Sequence, residues 1–591
     1  MRDFFKFMFA SMLGFLIMSV IMFFVFLGLI SGLAAMMQTQ ETQVAENTLL
    51  HIKFDAPLID RTSKDPFSNF SFASFDLKKS IGLNDILKNL DKASRDSNIK
   101  GIYLDLTGVQ SGMATAEEVR DALLEFKKSG KFILAYSEVY TQGSYFLAST
   151  ADSIYLNPEG GVDFRGLSAQ AMFFKGTLEK LDAEMQIIRH GKYKSAVEPF
   201  LLEQMSDESR EQMQAILDAV WTRMSNGISD SRNLTVEQLN EIAENLSLRT
   251  AEDALKYHFV DALMYKDEVL AALKGRLGMD DDDDIKTVSL AKYTDAADPD
   301  SPKIDRKNRI AVVYAIGEIN SGEGDDMSIG SERISKAIRK ARRDDKVKAI
   351  VMRVNSPGGS ALASDVIWRE VKLAAQEKPF VVSMGDVAAS GGYYIACAAD
   401  KIYADATTIT GSIGVLGLVP NLQNTMRNKL GITFDYVKTH ENANMMTPMR
   451  PLTPFQHDVI LESIEDIYAT FVQHVADGRG MTWEAVDEIG QGRVWAGADA
   501  VNIGLVDEIG GMEDAINEAI SLAGLETWSI KEYPEQKDPF QQFIDELTGN
   551  TRIEAKIKNE LGDNYRLYQY MKYWQNTTGA QMRLPFDIYI N

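Results

Sequence analysis

The chain has 591 residues, which is room for several domains, and its 45% hydrophobic and 25% charged residues are typical of globular proteins. The formal net charge of −23 argues against a nucleic-acid partner, because the chain has no basic stripe to neutralise phosphates. The only cysteine, Cys397, excludes an intrachain disulfide and lies in an apolar helical pattern. The histidines are scattered without metal-site spacing, so we expect neither a metal nor a cofactor: His51, His190, His258, His440, His457 and His474.

The N-terminal segment predicts a membrane anchor. No charged residue lies between Met8 and Met37, a run longer than the ~20 residues that cross a bilayer and longer than a signal-peptide core. Arg2 and Lys6 precede the run, so the positive-inside rule keeps the N-terminus in the cytoplasm and sends the rest of the chain across. Residues 1–46 are therefore predicted to form a cytoplasmic stub and a transmembrane signal anchor. Whether the small residues at 31–35 allow cleavage stays open.

Beyond the anchor, short β-branched runs alternate with helical patterns, which predicts an α/β fold with largely parallel sheets. The alternation occurs twice at a nearly constant offset of 248 residues, which indicates a duplicated domain. A linker-like segment at 294–307 separates the copies. We predict domains at residues 47–298 and 299–540, followed by a helical C-terminal tail at 541–591. The repeated segments include 99–106 with 347–354, 132–136 with 380–384, and 151–155 with 399–403.

A candidate nucleophile lies in Gly385-Asp-Val-Ala-Ala-Ser-Gly-Gly-Tyr393. A predicted strand turns here into a helix of small residues, which places Ser390 at a helix N-terminus, where unpaired N–H groups and the helix dipole favour negative charge. At the equivalent position the first copy has Gln142, which cannot act as a serine-type nucleophile. The structural alternative is an N-cap serine followed by packing glycines.

The second copy also has a glycine-rich turn, Asn355-Ser-Pro-Gly-Gly359, that residues 107–111 of the first copy lack. In a parallel α/β fold, this turn and the serine would both lie beyond the carboxyl ends of their strands, where ligands bind. The backbone N–H groups of Gly358 and Gly359 can then face an oxyanion. A tight turn without any chemistry is the alternative interpretation.

A serine hydroxyl needs a base, and no histidine has a recognisable position relative to Ser390. Lysine is the known substitute, and the first copy offers two in Gly191-Lys-Tyr-Lys-Ser195. Periodicity does not separate Lys192 from Lys194. A lysine base must be neutral, so its pKa must fall from ~10.4 toward ~7, mostly through desolvation. The matching stretch of the second copy has no lysine after Lys438, so the base is predicted in copy one and the nucleophile in copy two.

Four motifs in order resemble the long, duplicated form of the signal peptide peptidase A (protease IV) family. They are Tyr193-Lys-Ser-Ala-Val-Glu-Pro-Phe200, Asn355-Ser-Pro-Gly-Gly359, Gly385-Asp-Val-Ala-Ala-Ser-Gly-Gly-Tyr393 and Thr410-Gly-Ser-Ile-Gly-Val415. The resemblance implies that Ser390 is the nucleophile, that Lys194 rather than Lys192 is the general base, and that Ser412 orients the lysine amine. It also implies an oxyanion hole built from the backbone N–H groups of Gly358 and Gly359. We add Gly391, which directly follows Ser390, to this set.

The resemblance further implies two tandem crotonase/Clp-protease-like domains, each a spiral of ββα units. It implies a serine endopeptidase of the cytoplasmic (inner) membrane, with its catalytic body on the extracytoplasmic (periplasmic) side. Such an enzyme degrades cleaved signal peptides and other short apolar peptides through an acyl-enzyme, and long members of the family form homotetramers.

Two alternatives remain at the level of sequence. One is a non-catalytic membrane scaffold that binds peptides, and the other is an acyl-CoA enzyme of the crotonase type. The sequence leaves open the subsite preferences, the oligomer number, and whether nucleophile and base come from one chain or two.

Overall fold

The computed structural model describes residues 2–37, 42–54, 56–63, 70–71, 76–77, 81–299, 305–536 and 581–583. Its first element is helix α1 (Arg2–Met37). The segment Phe4–Phe24 of this helix is long and apolar enough to cross a membrane, and none of it is buried inside the protein. At a rise of about 1.5 Å per residue such a segment spans about 30 Å, the thickness of a bilayer core. The helix therefore fits a single-pass membrane anchor.

The first half of the chain is a parallel sheet covered by helices. Its strands are β1 (Thr48–Ile52), β2 (Phe70–Ser71), β3 (Asp76–Leu77), β4 (Ile99–Asp105), β5 (Phe132–Tyr140), β6 (Ser153–Val162), β7 (Glu184–Arg189), β8 (Ala262–Leu263) and β9 (Lys286–Ser289). Its helices are α2 (Leu83–Arg95), α3 (Met113–Lys127), α4 (Gln142–Ala148), α5 (Lys175–Lys180), α6 (Glu198–Leu201), α7 (Asp207–Arg232), α8 (Val236–Glu244), α9 (Ala251–Lys256), α10 (Lys266–Leu277) and α11 (Leu290–Tyr293). Six strands form the parallel sheet in the order β8-β6-β5-β4-β1-β9.

The second half repeats this plan with a larger sheet. Its strands are β10 (Arg309–Ile316), β11 (Glu318–Asn320), β12 (Ser328–Gly330), β13 (Val347–Ser356), β14 (Gly358–Ser360), β15 (Phe380–Ala389), β16 (Lys401–Ala404), β17 (Ile409–Gly411), β18 (Leu416–Asn421), β19 (Val494–Ala496), β20 (Glu508–Ile509), β21 (Ser529–Tyr533) and β22 (Gln581–Arg583). Its helices are α12 (Ser331–Arg343), α13 (Ala361–Ala375), α14 (Gly391–Ala396), α15 (Pro454–Arg479), α16 (Trp483–Ile489), α17 (Gly497–Asn502) and α18 (Met512–Leu522). The sheet runs β19-β17-β15-β13-β10-β21, and β16 and β20 join it beside β15.

The main strands and helices follow the same order in the two halves, which confirms the duplication. Helices α7 and α15 both have 26 residues, and each begins after a hydroxyl N-cap, Ser206 or Thr453. Strands β4 and β13 are buried on both faces, as is typical of parallel strands covered by helices.

A third sheet joins the halves. Its order is β12-β11-β14-β22-β18-β7, so that β7 of the first half lies in a sheet with strands of the second. The tail predicted to be helical at 541–591 lies outside the described residues except at Gln581–Arg583, which form strand β22.

Candidate active site

Ser390 lies where strand β15 turns sharply into helix α14. Its backbone has φ 56° and ψ −115°, a conformation that is strained for any residue other than glycine. Its amide donates to Gly411 O at 2.8 Å, which fixes the turn. A serine on such a strand-to-helix turn presents its hydroxyl beyond the end of the strand, as nucleophiles of α/β hydrolases do.

Lys194 reaches Ser390 from the first half of the chain because β7 pairs antiparallel with β18 over six residues. This pairing carries the segment after β7 across to the second half. Lys194 is fully buried and precedes a 3₁₀ turn, Ser195–Val197. Gln212 of α7 holds the segment, since its Nε2 donates to Tyr193 O at 3.1 Å and to Ser195 Oγ at 2.9 Å.

The amine of Lys194 contacts three oxygens. Nζ lies 2.7 Å from Ser390 Oγ, 2.9 Å from Ser412 Oγ and 3.1 Å from Ser412 O. Burial lowers the pKa of Lys194 well below its usual value, and no carboxylate of the described chain offsets this effect. A neutral amine has two N–H groups and one lone pair. The two N–H groups suit the oxygens of Ser412, and the lone pair suits the hydroxyl proton of Ser390.

The surroundings of the amine leave it little freedom to rotate. Ser412 also has a positive φ of 52°, and its amide donates to Arg493 O at 2.7 Å. Its Oγ lies 3.4 Å from Gly492 O, to which it donates while it accepts from Lys194. Gly492 has φ 82°, and a Cβ added there would lie 2.7 Å from Lys194 Cβ. The backbone at Gly492 therefore packs directly against Lys194, with no room for a side chain between them.

The glycines predicted to bind an oxyanion lie beside Ser390. A Cβ on Gly391 would lie 3.2 Å from both Gly358 Cα and Gly359 N, so the three residues are close-packed. Gly391 is the first residue of α14, where backbone N–H groups lack intrahelical acceptors. The amide of Gly358, by contrast, donates to Ser356 Oγ at 3.2 Å. Gly358 thus already has an acceptor in this structure.

Comparisons with known proteins show the family to which the chain belongs. Residues 125–280 and 372–526, one segment in each half and together more than half of the chain, match the model of peptidase family S49. The chain belongs to peptidase family S49. Residues 325–409 also match the model of the Clp protease family, which agrees with the Clp-like α/β fold of both halves.

Relatives with the same long architecture carry protease names. The chain is 36% identical to Protease 4 of Salmonella typhi over 90% of this chain and 88% of the relative. It is 38% identical to Protease 4 of Haemophilus influenzae, over 75% and 73%. It is 35% identical to the chloroplastic serine protease SPPA of Arabidopsis thaliana, over 74% and 65%. The chain is thus a serine protease, a long duplicated member of the signal peptide peptidase A group.

The equivalent position in the first half of this S49 peptidase has no nucleophile. Gln142 begins α4 there, and its side-chain amide makes hydrogen bonds with the backbone of Arg165 and Gly166. Its Oε1 accepts from Arg165 N at 2.8 Å and from Gly166 N at 2.9 Å, and its Nε2 donates to Gly166 O at 3.0 Å. The structure therefore has Gln142 in the first half at the position that Ser390 takes in the second, as the repeat predicts. The Gln142 amide holds the loop at residues 165 and 166 in place.

A short strand lies beside the glycine turn. Strand β22 pairs antiparallel with β14, with Gly359 opposite Met582, and it also meets β18 at Leu416. Met582 is buried in the main apolar core of the second half. A Cβ on Gly358 would lie 2.1 Å from Met582 O, so the strand runs directly against the predicted oxyanion turn. The groove between β14 and β18 thus accommodates an extended peptide segment with an apolar side chain.

Sequence reasoning missed a buried ionic cluster behind the site. Arg353 on β13 pairs through Nε with Asp60 at 2.7 Å and through Nη2 with Glu118 at 2.5 Å, and both carboxylates come from the first half. Asp60 also accepts from Asn355 Nδ2 at 2.7 Å. An arginine within an apolar strand signals a buried partner, but no local pattern identifies which residues provide it.

Asp386 of the nucleophile loop makes a second link between the halves. Its carboxylate accepts from Thr115 N at 2.9 Å and from Thr115 Oγ1 at 2.7 Å, and so caps helix α3 of the first half. Burial raises the pKa of Asp386, and the hydrogen bonds from Thr115 oppose that effect. The loop that leads to Ser390 is therefore anchored to the domain that provides Lys194.

Proposed function

We propose that the chain is a membrane-anchored serine endopeptidase whose catalytic dyad is Ser390 and Lys194. The observation that carries the proposal is the 2.7 Å contact between Lys194 Nζ and Ser390 Oγ, made by a buried amine without a carboxylate partner in the described chain. The other candidate base, Lys192, is exposed and its Nζ lies over the Tyr193 ring. The dyad forms within one chain, so each protomer has a complete pair.

The proposed reaction begins with proton transfer. Lys194 accepts the hydroxyl proton of Ser390 as Oγ attacks the scissile carbonyl, and the backbone N–H of Gly391 stabilises the oxyanion. The lysine then donates that proton to the leaving amine, which leaves an acyl-enzyme. Water, deprotonated by the neutral lysine, attacks the ester, and its proton returns to Oγ as the acid departs. Ser412 holds Nζ in line with Oγ throughout.

The proposed substrates are cleaved signal peptides and other short apolar peptides. Strand β22 supports this proposal, because an extended segment with a buried methionine already pairs beside the glycine turn. Main-chain pairing to a sheet edge provides affinity, and alternate side chains provide specificity. A substrate would occupy the same groove between β14 and β18.

The proposed location is the cytoplasmic membrane, with the catalytic body on the extracytoplasmic side. The apolar segment Phe4–Phe24, with Arg2 just before it and Lys6 near its N-terminal end, supports this orientation. There the enzyme would meet signal peptides soon after their release.

Labelling with a fluorophosphonate probe tests the proposal, because the probe reacts only with activated serines. We expect one labelled site, Ser390, found by peptide mapping, and loss of labelling in Ser390→Ala and Lys194→Met. A peptide-library digest by the detergent-solubilised chain should show cleavages that Ser390→Ala lacks. Wild-type cleavage by Ser390→Ala would rule out the dyad, and binding without cleavage by the wild type would favour a scaffold.

A further inference from the structure

Tyr468 lies in the core of the second half and has a hydroxyl that takes no direct part in the dyad. It is on helix α15, is 2% exposed and packs within the main apolar core. A phenylalanine would fill nearly the same space, so the hydroxyl is explained only by its hydrogen bonds. It donates to Asp487 Oδ1 at 2.6 Å and accepts from Gln491 N at 3.3 Å. Both bonds therefore lead to α16 and to the turn that follows it.

The turn at residues 490–492 is strained, and Tyr468 and Asp487 hold it from one side. Gln491 has φ 54°, which is uncommon for a residue with a side chain. Its Nε2 donates to Asp487 Oδ1 at 2.7 Å, so this oxygen accepts from both Gln491 and Tyr468. A Cβ on Gly490 would lie 3.1 Å from the Tyr468 hydroxyl oxygen. Strained backbone persists only where its surroundings fix it, and these contacts provide that support.

The other side of the same turn packs on the lysine segment. Gln491 O accepts from Tyr193 N at 3.0 Å, and Gly492 N donates to Ile413 O at 2.7 Å. A Cβ on Gly492 would lie 2.7 Å from Lys194 N as well as from Lys194 Cβ. A shift of the turn is therefore transmitted to Lys194 without any intervening side chain.

Tyr468 also contacts the strand end that leads to the lysine. His190 follows β7, four residues before Lys194, and stacks on Tyr468 with ring centroids 3.7 Å apart and planes 23° apart. His190 Nδ1 lies 2.6 Å from Glu465 Oε2, which is one turn before Tyr468 on α15. The Tyr468 ring thus meets the segment before Lys194, and its hydroxyl meets the turn behind Lys194.

The first half shows the same pair of helices where no lysine is held. Helices α15 and α16 begin 247 residues after α7 and α8 (454 − 207 and 483 − 236), which puts Trp221 at the position of Tyr468 and Asn240 at that of Asp487. Trp221 Nε1 donates to Asn240 Oδ1 at 2.7 Å, so the bond between the helices is present in both halves. An indole N–H cannot accept, however, and so Trp221 cannot receive a backbone amide. The accepting hydroxyl occurs in the half whose turn packs on Lys194.

We propose that Tyr468 is a positioning residue for Lys194. Together with Asp487, it holds residues 490–492 against the lysine, so that the amine stays shielded from water and in line with Ser390 Oγ. This role rests on the proposed function, in which Lys194 is the general base. Tyr468 acts only through the turn, because its hydroxyl bonds to Asp487 and Gln491 and not to the amine.

The pKa of Lys194 provides a readout that a purely structural role would not move. Burial lowers this pKa, and no charged group in the described part of the chain adds to or opposes that effect, so it depends on how closely the surroundings pack. The groups that face Tyr468 are Asp487 and Glu465, together with the stacked ring of His190. Burial raises the pKa of Tyr468 itself, so its hydroxyl keeps the proton that it donates to Asp487.

The pH dependence of fluorophosphonate labelling of Ser390 in the detergent-solubilised full chain tests the proposal. Tyr468→Phe removes only the hydroxyl, and we expect the labelling rate at neutral pH to fall about 10–100-fold, since a displacement of about 1 Å has an effect of that order. The half-maximal pH should move upward, because water that reaches the amine raises the pKa of Lys194 toward its ordinary value. Tyr293→Phe is the matched control, because Tyr293 is also buried and donates to a buried aspartate, Asp96, at 2.9 Å, but within the core of the first half. It should leave the rate within about 2-fold and the half-maximal pH unchanged.

Two variants of the acceptor extend the test. Asp487→Leu removes the oxygen that accepts from Tyr468 and Gln491, and it should reproduce both effects of Tyr468→Phe. Asp487→Asn keeps an Oδ1 that can accept both bonds, and it should retain the half-maximal pH of the wild type. The double variant Tyr468→Phe/Asp487→Leu should label no more slowly than the slower single variant, because the two residues act as a unit. Asp487 is only half-buried, so its variants decide the matter even if Tyr468→Phe does not fold.

Lys194→Met separates failure of this inference from failure of the dyad. If Lys194→Met labels as fast as the wild type, the dyad itself is wrong. If Lys194→Met does not label, the dyad stands, and Tyr468→Phe and Asp487→Leu then decide the positioning role. Wild-type labelling by both variants, or slow labelling with an unchanged half-maximal pH, would leave Tyr468 with a packing role alone and overturn the inference.

Discussion

Lys194 Nζ and Ser390 Oγ lie 2.7 Å apart although 196 residues separate them in the chain. They meet because β7 of the first half joins the sheet of the second half, so the contact depends on the packing of the two duplicated domains. Each domain alone lacks one member of the pair. Assembly of the site is therefore coupled to the folding and packing of both halves.

Lys192 and Lys194 provide a matched test of this relationship. Lys194→Met keeps an unbranched side chain of similar length and removes the base, and we expect kcat to fall about 10³-fold, within the 10²–10⁴-fold range typical of general-base loss. Lys192→Met changes an exposed side chain two residues away and should leave kcat within about 2-fold, since surface substitutions of this kind are mild. Steady-state kinetics on a fluorogenic peptide measures both. A larger loss in Lys192→Met would reassign the base.

The pH dependence of kcat/KM should follow the protonation state of Lys194. Since burial lowers the pKa of Lys194, the reactive neutral amine is present well below pH 10.5, and kcat/KM should rise with pH and then level off near that lowered pKa. An activity that rises only as pH approaches the ordinary lysine pKa would contradict a buried neutral base.

The same lowered pKa affects stability. Between the lowered pKa and the ordinary value, the unfolded chain binds more protons at Lys194 than the folded chain does, so the free energy of unfolding rises with pH. The slope is at most about 1.4 kcal/mol per pH unit for one proton. The difference between urea unfolding of the wild type and of Lys194→Met isolates this dependence. Equal pH slopes for the two proteins would mean that Lys194 titrates alike in both states.

The repeat and the four motifs predicted that Lys194 and Ser390 meet, because each half retains the local sequence pattern around one of the two residues. The choice of Lys194 over Lys192 came from the motif, since spacing alone treats both alike. The Arg353–Asp60 pair was not predictable, because 293 residues separate its members and Asp60 lies in no regular pattern. The close packing of Gly492 against Lys194 was equally unpredictable, since a glycine in a turn does not reveal which residue it contacts.

Gly492 should be intolerant of any side chain. Gly492→Ala adds a Cβ 2.7 Å from Lys194 Cβ and imposes strain at φ 82°, so the lysine must shift away from Ser390. We expect kcat to fall by about 10²-fold, since a misplacement of about 1 Å has that effect on catalysis. Gly480→Ala is the matched control, because Gly480 has φ 63° with nothing within 4 Å of an added Cβ. If both variants lose activity equally, backbone strain rather than displacement of the lysine is the cause.

Strand β22 should compete with substrate. Met582→Pro removes a backbone N–H from the segment opposite Gly359 and should release it from β14. We expect KM for a short apolar peptide to fall about 3–10-fold with kcat unchanged, because fewer protomers have the groove occupied. A peptide with the sequence of residues 579–585 should inhibit the variant competitively. An unchanged KM together with no inhibition by the peptide would place substrate elsewhere.

The ion pairs of Arg353 with Asp60 and Glu118 should govern the stability of the two packed halves rather than the chemistry. Arg353→Met leaves Asp60 and Glu118 buried without their cation, and loss of one member of a buried ion pair costs about 3–5 kcal/mol. Arg95 also pairs with two aspartates, Asp91 and Asp298, but with side chains that remain partly exposed, so Arg95→Met should cost only about 0–1 kcal/mol. Urea unfolding followed by tryptophan fluorescence measures both variants.

Because Arg353 links β13 of the second half to both carboxylates of the first, its loss should also separate unfolding of the halves into two transitions. A single transition with a loss no larger than that of Arg95→Met would show that apolar packing alone holds the halves together.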